Sequence, residues 1–506
     1  MQILLVLNMK RGIIPLRNVR IQLNKADFEY DVHSLTKAFY PEDEVKVYAP
    51  EDIEKDDQNA DVLIVLEYQE DQISITCTDE GQCLYQETIA LDYYKERTET
   101  KNQLKRLLYH ALYKATGKTL PWGTLSGIRP TKIPMKLLEE GKTNVEIAQY
   151  MRNTYYCSNE KTALAITVAN REKYILRDLD YENGYSLYIG IPFCPSICLY
   201  CSFSSSPIKV WEKRVDEYVE TLCKEITATA DMLKDKKLNT IYIGGGTPTT
   251  LNPLQLEKLL SHIDACFDFT HVLEYTVEAG RPDSITKEKL EVIKRHPVTR
   301  ISVNPQTMNQ ETLDIIGRRH TVEDTKKAFY LAREVGFDNI NMDLIVGLPG
   351  EDAAMVAHTL QEIEEMNPDS LTVHSLAVKR ATRLHLFKEQ YSEMTYENNQ
   401  KIMDMVAATA AKLEMGPYYL YRQKNMKGNM ENVGYAKVDK AGIYNILIME
   451  EKQTILAVGA GASTKMVFEH GARIERTENV KDVKQYLERI DEMIERKRIG
   501  IETYLK

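Results

Sequence analysis

The sequence predicts an α/β protein centred on a partial (β/α)6 barrel, preceded by an N-terminal α/β accessory domain and followed by a C-terminal α+β extension. Three observations carry that expectation. From about residue 185, six strand-like segments alternate with five helical ones, the rhythm of a parallel sheet built from βα units. The residues with chemistry in them fall at or just beyond the C-terminal ends of those strands, the face on which parallel barrels gather a site from many strands. On either side the alternation breaks, which sets domains at 1–175, 176–388 and 389–506; a chain of this length accommodates about three.

In the first domain MQILLVLN, EVKVYA, DVLIVLEYQ, DQISITCTDE and QCLYQETIAL read as strands, the last three as an antiparallel meander. KERTETKNQLKRLLYHALYKATG reads as a helix closed by Gly117, and the Gly/Pro-punctuated PWGTLSGIRPTKI follows it. In the barrel, SLYIGIPF leads to helical VWEKRVDEYVETLCKEITATADML, NTIYIGGGTPTT to PLQLEKLLSHIDACF, and LEYTVEAG to TKEKLEVIKRH. TRISVNPQ then precedes a long helical region through Val335, NINMDLIVGLPG leads to AAMVAHTLQEIEEMN, and DSLTVHSLAV closes the series. An open sheet and a barrel share this signature; six units with polar motifs at the strand ends favour a partial barrel. In the last domain NNQKIMDMVAATAAKLEM reads as an amphipathic helix, GIYNILIMEEKQTILAVGAG as two strands around a turn, and VKDVKQYLERIDEMIERK as a charged helix.

A net charge of -10 argues against nucleic acid as a partner, because phosphates call for a basic face. No apolar run approaches the roughly 20 residues of a membrane span. MQILLVLNMKRG lacks the flanks of a signal peptide, so a first strand and a cytoplasmic location are expected. Five scattered cysteines (Cys77, Cys83, Cys157, Cys223, Cys266) read as free thiols in a reducing compartment. The other three, Cys194, Cys198 and Cys201, are packed into CPSICLYC. Structural zinc would need a distant fourth ligand, and a redox thiol pair would leave one cysteine without a role. The pattern favours an iron–sulfur cluster held by three thiolates, one iron being left open for catalysis.

C-x3-C-x2-C after a first strand, with Tyr200 before the last cysteine, resembles the radical S-adenosylmethionine (SAM) superfamily. IPFC, GGGTP, a glutamine after the fourth strand and DLI-x-GLP narrow the resemblance to the oxygen-independent coproporphyrinogen III oxidase group. YIGIPFC, EAGRPDS, RISVNPQTM, IGRRHT, HSLAVKRAT, YLYRQKN and the PWG-x-L-x-GIRPTK segment at Pro121–Lys132 resemble its HemZ-type coproporphyrinogen dehydrogenases. The resemblance implies a [4Fe–4S] cluster on Cys194, Cys198 and Cys201, with SAM on the open iron. It implies SAM contacts from Tyr188, Tyr200, Gly244, Gly245, Gly246, Thr247, Glu278, Gln306, Arg318 and Asp343, and from the backbone at Ile345 and Gly347. Carboxylates suit ribose hydroxyls and an ammonium, and an arginine suits a carboxylate.

The activity so implied is oxidative decarboxylation. A 5′-deoxyadenosyl radical takes hydrogen from a propionate β-carbon, and loss of carbon dioxide and an electron leaves a vinyl group. On two rings this converts coproporphyrinogen III to protoporphyrinogen IX, with a small electron-transfer protein as reductant and no catalytic side chain beyond the cofactors. An anionic tetrapyrrole needs local positive charge, for which Lys379, Arg380 and Arg383 are candidates, with Arg319, Arg422 and Lys424 behind them. Two positions depart from the established dehydrogenases: Phe203 stands where they have a cysteine, and Gly190 where they have a histidine. Phenylalanine there is shared with haem-trafficking chaperones, so the alternatives are a haem-binding chaperone, with His320 or His374 as axial ligand, and an anaerobic haem-degrading radical SAM methyltransferase.

Overall fold

The computed structural model describes residues 16–52, 60–91, 96–127, 129–181, 183–391, 394, 396–423, 430–468 and 471–505. The expected first strand, MQILLVLN, lies outside them. The chain forms two compact units, Met1–Gly127 with Leu137–Leu164, and Ile128–Lys136 with Ala165–Lys506.

The first unit holds a five-stranded sheet ordered β2-β1-β3-β4-β5, from β1 (Asn18–Leu23), β2 (Glu44–Tyr48), β3 (Val62–Tyr68), β4 (Gln72–Asp79) and β5 (Gln82–Ala90). The meander β3-β4-β5 is antiparallel as expected, while β1 runs parallel to β2 and β3. Alternate residues Val19, Ile21 and Leu23 are fully buried with Val62, Ile64 and Leu66. The helix Arg97–Thr116 adds Leu104, Leu108 and Leu112 to that core and ends at Gly117, whose φ of 66° is the left-handed cap glycine favours.

The second unit is built on one eleven-stranded sheet. Its strands are β6 (Gly184–Ile191), β9 (Lys237–Gly245), β10 (Glu274–Glu278), β11 (Arg300–Ser302), β12 (Ile340–Val346), β13 (Ser370–Ser375), β14 (Gly416–Tyr421), β15 (Asn432–Ala436), β16 (Thr454–Val458), β17 (Ser463–Phe468) and β18 (Arg473–Glu478). Two short strands stand apart from it, β7 (Phe193–Cys194) and β8 (Ser206–Pro207). The six expected strands lie side by side and parallel, from β6 through β13, and β16 pairs parallel with β6 on its free side. Beyond β13 come antiparallel β15 and β14, and beyond β16 come antiparallel β17 and β18, so the sheet stays open. This is the partial-barrel architecture.

Strand alternation sorts side chains cleanly. Leu187, Ile189, Ile241, Ile243, Val277, Ile301 and Met342 are apolar and essentially unexposed. The intervening positions are largely polar: Ser186, Tyr188, Thr240, Tyr242, Glu274, Glu278, Arg300, Ser302, Asn341, Asp343 and His374. Because successive side chains leave a strand on opposite faces, this second set shares one lining. Contacts across strands confirm it, among them Thr240 Oγ1 donating to Ser186 Oγ at 2.7 Å and Arg300 Nη2 to Ser370 Oγ at 3.0 Å.

Two expectations are corrected. GIYNILIME is not a strand but the helix Ile443–Glu450, and only TILAV after it extends, as β16. A continuous apolar run fits either state. The helix wins because the Glu274 carboxylate accepts from the N–H groups of Ile443 and Tyr444, which a helix N-terminus leaves without partners. The long helical region through Val335 is two helices, Gln310–Ile315 and Val322–Val335, the second begun by a Thr321/Asp324 capping box. Among the described residues no helix is long and apolar enough to cross a membrane.

Candidate active site

The cysteine loop leaves the C-terminal end of β6 and is clasped at its base by β7 and β8, which pair Phe193 with Ser206 and Cys194 with Pro207. Within it the Cys201 N–H donates to Cys198 O at 3.2 Å. Neighbouring segments hold it in place: Leu199 N–H donates to Ile316 O at 2.9 Å, Leu384 N–H to Leu199 O at 3.0 Å, and Ser196 Oγ to Gly317 O at 3.0 Å. Thr247 Oγ1 reaches Cys194 Sγ at 3.5 Å. Burial pushes the Cys194 thiol up and the Cys201 thiol up to about 11. Among the described residues no three His, Cys, Asp or Glu side chains converge on a single ion.

The GGG turn closes over the start of this loop. Gly246 N–H donates to Ile191 O and Thr247 N–H to Phe193 O, both at 2.7 Å. Gly245 has φ of 106°, and a Cβ on Gly246 would lie 2.5 Å from Phe193 O, so neither position accepts a side chain. Gly244 precedes them beside the Glu278 carboxyl.

Glu278 ends β10 and accepts from the Tyr242 hydroxyl. Burial pushes its carboxyl up to about 7, with the Tyr242 hydrogen bond opposing and Asp343 adding to the rise. Tyr188 stacks on Tyr242 with centroids 6.4 Å apart. Gln306 follows β11 at φ 68°, bracketed by its N–H donating to Asp343 O and its carbonyl accepting from Ile345 N–H, each at 2.9 Å. Asp343 Oδ1 accepts from Asn341 Nδ2 at 2.7 Å. Arg318 is buried, donating from Nη1 to the Tyr200 hydroxyl at 3.2 Å and from Nη2 to Gly280 O at 3.0 Å and Asn304 O at 2.5 Å. Ile345 is buried, and Gly347 turns the chain after β12 with φ of 83°.

Ser302 Oγ, Asn304 Oδ1 and Gln306 Oε1 are buried polar atoms with no protein partner, on alternate residues at the mouth of the lining. Buried polar groups normally find partners, so three unmet ones in a row mark a place completed by a ligand. Of these, sequence reasoning singled out Gln306 alone. The signal for the others was present in RISVNPQ, where polar residues alternate through an otherwise apolar strand end.

Lys379, Arg380 and Arg383 are exposed. Lys379 is near enough to favour the Cys201 thiolate, and Arg383 Nη1 donates to Ile197 O at 3.4 Å, so both border the cysteine loop. Arg319 is exposed, Arg422 is buried, and Lys424 lies outside the described residues. His320 is buried, and burial together with the Arg318 charge pushes its imidazole down to about 4. His374 Nδ1 lies 3.2 Å from the Tyr421 hydroxyl. Gly190 O accepts from Tyr218 at 2.8 Å, while Phe203 is 73% exposed.

Compared with known proteins, residues 188–363 match the radical SAM superfamily. The oxygen-independent coproporphyrinogen-III oxidase-like protein HemZ of Bacillus subtilis (strain 168) is 41% identical over 403 residues, 79% of this chain and 80% of the relative. The heme chaperone HemW of the same organism is 34% identical over 318 residues, 61% of this chain and 76% of the relative. The solved structure of Escherichia coli coproporphyrinogen III oxidase HemN, a radical SAM enzyme, has the same fold, with a TM-score of 0.50 and 24% identity over 63% of this chain and 72% of that one.

Proposed function

Because this chain belongs to the radical SAM family of HemZ-like, oxygen-independent coproporphyrinogen III oxidase-like proteins, with a [4Fe–4S] cluster and SAM as cofactors, we propose that it decarboxylates the propionates of coproporphyrinogen III to vinyls, giving protoporphyrinogen IX. The observation that carries this reading is the meeting, at one mouth, of a clamped three-cysteine loop, a row of unpartnered acceptors and exposed cations. Cys194, Cys198 and Cys201 hold the cluster. Bound together, cluster and SAM supply a radical able to take hydrogen from a propionate β-carbon. The protein's own part is placement and the exclusion of water.

Ser302, Asn304, Gln306, Glu278 and Asp343 supply acceptors for the ammonium and hydroxyls of SAM, and Arg318 a donor for its carboxylate. Tyr188, Tyr200, Gly244, Gly245, Gly246 and Thr247 line the approach, and Ile345 and Gly347 offer backbone to adenine. Lys379, Arg380 and Arg383 meet the substrate's carboxylates. The reductant is a small electron-transfer protein, and the setting cytoplasmic.

The test is anaerobic incubation of reconstituted protein with SAM, reductant and coproporphyrinogen III. Protoporphyrinogen and carbon dioxide are expected; uncoupled SAM cleavage without either overturns the reading. Arg380→Ala, with its cluster intact, weakens tetrapyrrole binding several-fold, and unchanged affinity removes Arg380 from the site. One observation favours a second reading, a haem chaperone. Phe203 projects beside the cysteine loop, where the dehydrogenases carry a thiol. Stable haem binding without turnover in the same assay supports it.

A further inference from the structure

Arg281 belongs to the EAGRPDS segment after β10 and stands outside the SAM-facing set of side chains. Its side chain is 5% exposed, and an arginine keeps its charge wherever it is placed. Nε and Nη2 fork onto Asp283, at 2.9 Å to Oδ1 and 2.7 Å to Oδ2. That bidentate pair fixes the guanidinium and aims Nη1 at the cysteine loop. Nη1 lies 3.5 Å from Cys198 Sγ, 3.2 Å from Ser196 Oγ and 3.4 Å from Ser196 O. The charges around it do not cancel. Asp283 offsets one cation, Arg318 is a second cation whose acceptors are the Tyr200 hydroxyl and backbone carbonyls, and His320 stands 3.8 Å from Asp283. The buried group beside Cys198 is therefore positive on balance.

We propose that Arg281 is a positioning residue for the cluster, donating to the Cys198 sulfur and raising the cluster's reduction potential. One-electron reduction by an external donor adds a negative charge next to this guanidinium, whose burial leaves it only weakly screened by water. Hydrogen bonds to the sulfurs and nearby charge are the levers by which a protein sets such a potential. The proposal rests on the cofactors and not on the identity of the tetrapyrrole, so turnover of a different substrate leaves it standing.

The experiment is a dithionite titration of reconstituted full-length protein without SAM, followed by electron paramagnetic resonance, with iron and sulfide content measured alongside. Arg281→Met is expected to disfavour reduction about tenfold, about 59 mV for one electron. Arg281→Lys, which keeps the charge and loses the fork, shifts it less. A fully loaded Arg281→Met at the wild-type potential overturns the proposal. If its SAM affinity has fallen instead, Arg281 is a SAM ligand. Should Arg281→Met fail to take up iron, Arg281→Gln keeps an N–H without the charge, and a wild-type potential there overturns the proposal equally.

Discussion

Glu274 and Glu278 stand at the two ends of the five-residue strand β10, on the same face, and their surroundings differ in kind. Glu274 is 4% exposed, accepts two N–H groups of the helix Ile443–Glu450 and takes the Thr276 hydroxyl at 2.8 Å. Glu278 accepts from Tyr242, and burial pushes it up to about 7. Tyr444, on the helix that Glu274 caps, reaches past it to stack on Tyr242, the partner of Glu278, with centroids 4.5 Å apart. Around Glu278, Ser302, Asn304 and Gln306 present atoms without partners. A buried unmet polar atom costs about 1–3 kcal/mol. Three such atoms lie together on alternate residues at the C-terminal mouth, whereas both oxygens of Glu274 accept hydrogen bonds, so the carboxylate at one end of β10 is used by the fold while the other end keeps unmet polar atoms beside it.

That division can be broken by experiment. The largest effect is expected at the mouth: Cys198→Ala takes iron and sulfide to background and abolishes turnover, while circular dichroism of the metal-free protein is unchanged. A change of fold in the metal-free variant would mean that the loop belongs to the structural end after all. Next comes Glu274→Ala, which leaves two helix N–H groups bare and lowers unfolding free energy by about 3 kcal/mol in urea titrations, more than one unmet group would. The folded remainder keeps its SAM affinity.

Glu278 gives a pH-dependent effect of comparable upper bound. Its carboxyl titrates near 7 in the fold against 4.5 unfolded, so its stability contribution is full below pH 4.5 and lost as pH rises through about 7. Unfolding free energy of the metal-free protein falls over that window, by at most about 3 kcal/mol, and Glu278→Gln flattens the fall. An unchanged slope in the variant refutes the assignment. The smallest effect, of opposite sign, belongs to Glu451, at the end of the helix that Glu274 caps. Burial opposes its charge, but Arg129 and Lys465, with Lys132 and Arg476 beyond, hold it down at about 2. Its contribution, on the order of 1 kcal/mol, is present above pH 4.5 and lost as pH falls through about 2, so wild type and Glu451→Gln converge in acid.

Where pattern and spacing were local, the sequence was readable. The six βα units, the meander and the Gly117 cap follow from periodicity and from glycine at a helix end. The strand β1 and the helix Glu29–Phe39 give weak signals in NVRIQL and EYDVHSLTKAF, whose polar residues dilute the pattern. NILIME is ambiguous taken locally, because its state depends on Glu274, 169 residues before Ile443. Arg281 was invisible for the same reason: 83 residues separate it from Cys198, and no local signal marks an arginine aimed at a sulfur. PWG-x-L-x-GIRPTK reads as loop, yet Trp122 is fully buried, Arg129 pairs with Glu451, and Thr131 Oγ1 donates to Glu450 at 3.1 Å.

The pairing of β16 with β6 bears on how the protein is made. β6, which leads into the cysteine loop, has β9 on one side and, on the other, residues 454–458. During synthesis the second neighbour leaves the ribosome some 270 residues after the first strand does. Until then β6 is an open edge, the kind of surface that invites pairing with another chain. The stretch that reads as a self-contained barrel is thus a poor unit to express alone. A chain cut at 388 is expected to carry all three cysteines and to aggregate through the strand that presents them.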